Sequence, residues 1–196
     1  MTILAKKTKA KEWFTLIAPK IFEEKEMGKI MVSDPEKLVG RKTSFSAMEI
    51  TDNMNKYYMK FIFRINRIEG KRAFTELSGS ECMRDYISRM VVRRVSRIDV
   101  INDFKTKDGI KIRVKALAVI SKKAKSSIQK KIRARLEVLL KEDVESTSLD
   151  DLIGKIISDE MKSRVLSELR GIYPIRNFEI RKTEISSTSK STAPKS

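Results

Sequence analysis

Few side chains here have the type and spacing to do chemistry. The chain has no histidine and a single cysteine, Cys82. Ser-His-Asp and Cys-His catalysis are excluded, and with them the usual zinc sites. Acid–base work would fall to carboxylates, lysine or tyrosine. One carboxylate cluster, Asp99, Asp103 and Asp108, has the residue type to hold Mg²⁺ for phosphoryl chemistry. Its spacing fits no EF-hand, however, and Asp108-Gly109 is a common turn pair. Gly70-Lys71 lacks the preceding glycine of a phosphate-binding loop, and no dinucleotide fingerprint occurs. Cys82 reads as an inert, half-buried packing residue. The expectation is a binding protein with no catalytic residue, no metal and no cofactor.

The chemistry that does stand out is cationic. Between Lys105 and Arg135 there are twelve lysines and arginines against one acid, Asp108. At the chain's average composition that window would hold about seven bases and four acids. In Ile110-Lys111-Ile112-Arg113-Val114-Lys115 apolar and basic residues alternate, the period of a strand with one wet face. After Ser121 the period changes. Ile128, Ile132, Leu136, Leu139 and Leu140 recur at helical spacing, while Lys130, Lys131, Arg133 and Arg135 take other faces. Lys122, Lys123 and Lys125 link the two elements. A lysine-bearing strand taken alone is often only a solvated face or a guard against edge pairing. Strand, link and helix together read as a surface for a polyanion.

Composition supports this. The formal net charge is +17 in 196 residues, a self-repulsion most easily explained by a neutralising partner. Nucleic acid is the commonest, and an anionic membrane surface is the competitor. Against the membrane, no apolar run approaches 18 residues, and the leucines of 130–141 come without an aromatic anchor. The start, MTILAKKTKAKEW, has no apolar signal region, and lone cysteine usage suits a reducing cytosol.

The elements that would hold these residues alternate strand and helix patterns. Residues 1–11, with Lys6, Lys7, Lys9 and Lys11, read as a basic tail. Trp13 is expected first as an anchor beneath the core, with stacking on RNA as the secondary reading. Strands are expected over 28–32, Thr43–Ile50, Tyr57–Ile68 and Arg72–Leu77, the last two joined as a hairpin by Glu69-Gly70-Lys71. Ser80 is expected to cap a helix through Met90, and Val91–Phe104 to form a strand carrying Arg93, Arg94 and Arg97. Ser148 opens an acidic helical stretch, and strand character returns at 172–185 before a low-complexity tail, 186–196. The fold class is α+β: a small antiparallel β-barrel core (12–120), a helical segment (121–170) and a returning strand packed on the core (171–185).

Several short stretches fall in a telling order. They are Lys11-Glu12-Trp13-Phe14 with Ala18-Pro19 and Phe22; Gly28-Lys29; Leu38-Val39-Gly40-Arg41; Arg93-Arg94; and Asp99-Val100. Thr106-Lys107-Asp108-Gly109-Ile110, Ile172-Tyr173-Pro174-Ile175 and Ile180-Arg181-Lys182 follow. No single motif is specific, but the collinear set resembles the eukaryote-type S-one family (formerly S-three-A-e) of small-subunit ribosomal proteins, shared by archaea and eukaryotes. The resemblance implies a β-barrel with helices on the platform of the small subunit near the mRNA exit. It implies contacts with rRNA, with neighbouring small-subunit proteins and, as a candidate, with mRNA, all in the cytoplasm and without catalysis. The early stop after Ile180-Arg181-Lys182 matches the compact archaeal form. On this reading Lys111, Arg113, Lys115, Lys122, Lys123, Lys125, Lys130, Lys131, Arg133 and Arg135 neutralise rRNA phosphates without reading base sequence. Arg41, Arg93, Arg94 and Arg181 rank second.

Overall fold

A computed structural model of the chain describes residues 10–186. Lys6, Lys7 and Lys9 of the expected basic tail, and the low-complexity end after 186, lie outside them. The chain divides into two compact units.

The first unit runs to Tyr57 and adds Phe61–Ser78. It contains β1 (Glu12–Ile17), β2 (Glu26–Val32), β3 (Lys42–Ser46), the short helix α1 (Ala47–Thr51), and most of β4 (Met59–Glu69) and β5 (Arg72–Cys82). Strand alternation builds its core. Phe61, Phe63 and Ile65 all point inward from β4 with at most 1% exposure, each contributing roughly 2 kcal/mol of transfer free energy. Phe22 packs against Phe61 and Phe63 at centroid distances of 5.1 and 5.7 Å. Phe14 and Leu16 of β1 join Leu38, Ile65 and Ala73. The β4–β5 hairpin turns at Gly70, whose φ of +59° suits glycine.

The second unit comprises Tyr58–Lys60 and everything from Gly79. It contains α2 (Arg84–Met90), β6 (Ser96–Lys105), β7 (Lys111–Ile120), α3 (Ser126–Ser146), α4 (Leu149–Ile157), α5 (Glu160–Arg170) and β8 (Ile175–Ile185). Strand β8 is inserted antiparallel between the end of β5 and β7, and β7 pairs in turn with β6. Ala116–Ile120 of β7 are buried without alternation, as befits a strand covered on both faces. Helix α3 packs along β6 and buries Ile132, Leu136, Leu139, Leu140 and Val144, close to the expected apolar stripe. Ser148 caps α4 as expected: its hydroxyl accepts from the Asp151 amide at 3.2 Å and donates to the Asp151 carboxylate at 2.6 Å. No helix among the described residues is long and apolar enough to cross a membrane.

The chain is α+β, but the expected barrel is not formed. Among the described residues all eight strands belong to one sheet, which stays open because β2, β3 and β6 each pair there on one side only. Other local expectations also shift. Residues Thr43–Ile50 are not one strand: β3 ends at Ser46 and α1 begins at Ala47. Ser80 does not cap a helix. It lies buried inside β5, its amide and hydroxyl both 2.9 Å from the Thr183 hydroxyl. Cys82 ends that strand, fully buried, with its thiol donating to the Ile180 carbonyl at 3.1 Å. Arg93 and Arg94 sit in a turn before β6 rather than within it, and Arg94 adopts φ +68°. Trp13 is 56% exposed, not a core anchor, because Phe14 and Leu16 claim the inward parity of β1.

Candidate nucleic-acid interface

The cations of the second unit fall into groups with different environments. Lys122, Lys123 and Lys125 lie in the link after β7, and Lys130, Lys131 and Arg133 on the first turns of α3. All six are exposed, and none has an ion-pair partner among the described residues. The first turn of α3 carries no acid, and the Lys125 side chain makes no capping bond. Cations at the positive end of a helix macrodipole are unfavourable, so this arrangement weakens the free helix and favours an anion beside it. Arg135, one turn further on, is different: its guanidinium donates to Glu168 of α5 at 2.9 Å.

The strand cations lie at the other end of the same scaffold. Lys111 and Arg113 begin β7, and the link follows its last residue, roughly 30 Å away for a strand of this length. Helix α3 runs back over that distance. Its C-terminal end meets the β6–β7 turn, where the Lys107 amide donates to the Thr147 carbonyl at 3.1 Å. The expected continuous strand-to-helix surface is therefore two patches, separated by the buried half of β7. In the first patch Lys111 sits directly across from Lys105, both exposed, a like-charge pair that repels. Arg113 is occupied by its cross-strand partner Asp103 through two bonds of 2.6 and 2.8 Å. That bidentate pairing holds the Asp103 carboxyl below the usual carboxylate range and raises the arginine.

A third basic feature was only partly visible in the sequence. A cleft of about 440 Å³ is lined by Arg84, Arg97, Lys115, Arg181 and Lys182, with Glu81 as its one acid. Lys115 and Arg181 were expected as binding residues. Arg84 and Lys182 were not, and Arg97 was read only as a strand residue. The sheet assembles this cleft by placing Glu81 of β5 beside Lys182 of β8, and Lys182 beside Lys115 of β7. Lys115 and Lys182 are again like charges across a ladder, but Glu184 reaches both, at 3.0 and 3.1 Å. Arg97 is held by Asp99 at 2.8 Å. Arg84 and Arg181 have no such partner among the described residues.

Arg93 and Arg94 are exposed on their turn in the second unit, and Arg41 is exposed before β3 in the first. The three aspartates do not converge. Asp99 and Asp103 are engaged by Arg97 and Arg113, and Asp108 accepts the Leu149 amide at 2.8 Å, capping α4 from a distance in sequence. Among the described residues no three carboxylate, cysteine or histidine groups gather as a metal site would need.

Together these residues form an exposed basic surface. The sequence profile of the Ribosomal S3Ae family matches residues 4–189, and the chain belongs to that family, one of ribosomal proteins and not of enzymes. Its relatives include the small ribosomal subunit protein eS1 of Methanopyrus kandleri, 37% identical over 183 residues, covering 91% of this chain and 87% of the relative. The eS1 proteins of Methanobrevibacter smithii and Sulfurisphaera tokodaii are 36% and 33% identical, covering 90% and 94% of this chain and 92% and 95% of theirs. The resemblance drawn from ordered short motifs is thereby confirmed.

Proposed function

We propose that this chain is a structural constituent of the small ribosomal subunit, bound to rRNA through the link and first turns of α3, and so supports translation in the cytoplasm. The observation that carries this reading is the unpaired state of Lys122, Lys123, Lys125, Lys130, Lys131 and Arg133. Other scaffold cations of the second unit, such as Arg113, Lys115 and Arg135, have carboxylate partners, so acids are available and this row lacks them. Phosphates are the missing anions: they neutralise the row, release counterions and complement the α3 dipole. Lys111, Arg93, Arg94, Arg181 and Arg41 are further phosphate contacts. Arg113, Lys115 and Arg135 act chiefly as scaffold pairs. We assign the contact to the platform near the mRNA exit, as the family resemblance implies, with neighbouring small-subunit proteins and mRNA as additional contacts.

The test is Lys130→Glu combined with Arg133→Glu. Reversing two contacts should weaken association with the small subunit at least about tenfold and flatten the salt slope of rRNA binding by about two. Both side chains are exposed, so circular dichroism should not change. Unchanged association with an unchanged fold would remove this row from the interface.

A further inference from the structure

The first unit carries an exposed aromatic surface that phosphate binding does not explain. Trp13 is 56% exposed, and Met31, its direct partner across β1 and β2, is 44% exposed. Phe14, Leu16 and Ile30 hold the inward parity, so Trp13, Thr15, Lys29 and Met31 share the outer face. Thr15 lies across from Lys29 on one side and beside Arg72 on the other, and its amide donates to the Lys71 carbonyl at 2.9 Å. Lys29, Lys71 and Arg72 are all exposed, and none has an ion-pair partner among the described residues. Phe74, further along the same face, is already covered by the Arg67 guanidinium at 4.6 Å. Among the described residues Trp13 is thus the large ring of this face left open, with the unpaired Lys29 and Arg72 on the same face and Lys71 in the adjoining turn.

We infer that Trp13 is a stacking platform for an unpaired RNA base, with Lys29, Lys71 and Arg72 receiving the adjoining phosphates. The inference rests on the RNA-binding reading above but assigns a different surface and a different mode of contact. Charge decides the occupant. An apolar protein partner or lipid tail covering Trp13 and Met31 would desolvate three unpaired cations, whereas a nucleotide brings its own phosphate with its ring. A stacked base needs an aromatic face and nearby positive charge, and this face offers both without hydrogen-bond readout of sequence.

Because Trp13 is the only tryptophan in the chain, its fluorescence reports on this site alone. The full chain is titrated with a short single-stranded oligoadenylate. Tryptophan emission is followed alongside the anisotropy of an end-labelled copy of the same RNA. Emission is expected to quench in step with anisotropy, and a blunt duplex of equal length should bind without quenching. Trp13→Ala should weaken oligoadenylate binding roughly tenfold, Trp13→Phe should restore most of it, and circular dichroism should be unchanged in both. Full anisotropy with unchanged tryptophan emission would overturn the platform while leaving RNA binding intact. No anisotropy change at all would overturn both. Quenching by anionic vesicles but not by RNA would assign the face to lipid and overturn the inference.

Discussion

Glu184 shows how single side chains decide which cations are free. It accepts hydrogen bonds from Lys115 and Lys182, which hold its carboxyl below the usual carboxylate range despite some desolvation. A depressed folded-state pKa means that these pairs add stability above the ordinary carboxylate pKa and lose it as pH falls through the lowered value. Glu184→Gln should therefore cost about 0.5 kcal/mol near neutral pH, discounted for its partial exposure, and progressively less as pH falls below the ordinary carboxylate range. Urea melts across that range check it, and a cost independent of pH would contradict the assignment. Which cations are paired was not legible in the sequence. Lys115 and Glu184 are 69 positions apart and meet only through the β7–β8 ladder. What was legible was local: Lys130, Lys131 and Arg133 fall off the apolar stripe of their own helix, so their exposure follows from spacing. Trp13 shows the limit. Hydropathy marks it for burial, but the parity of β1 is fixed by its neighbours Phe14 and Leu16.

At the scale of elements, the close approach of β5 and β8 has the most consequence. Gly79 pairs with Glu184 at φ +154°, and a Cβ there would stand 2.0 Å from the Thr183 carbonyl oxygen. Backbone cannot yield as a side-chain tip can, so Gly79→Ala should destabilise the chain by about 3 kcal/mol or more. Denaturant midpoints measure this, and a midpoint equal to the parent would mean that β5 and β8 do not meet as described. Ser78-Gly79-Ser80 reads locally as the end of a strand and a helix cap. The long-range partner, Thr183, keeps the strand going to Cys82 instead. Elements set by their own sequence fared better: β4 by strict alternation of Phe61, Phe63 and Ile65, α3 by its stripe, and α4 by the reciprocal Ser148–Asp151 bonds.

For the molecule as a whole, α+β character and a predominantly cationic surface were legible from composition and period, while sheet closure was not. Closure depends on whether edge strands find partners, and nothing in the local pattern of β2, β3 or β6 reports that. A net charge of +17 repels itself, and the unpaired row at the start of α3 concentrates that repulsion. On the proposed function, rRNA phosphates at this row would relieve both. The central claim is tested most directly by sedimenting a cell lysate through sucrose gradients at low and moderate salt while following this protein by antibody. The expected result is co-migration with the small ribosomal subunit that survives moderate salt, since a seated ribosomal protein combines many phosphate contacts with protein neighbours. Migration at the top of the gradient already at low salt would contradict it.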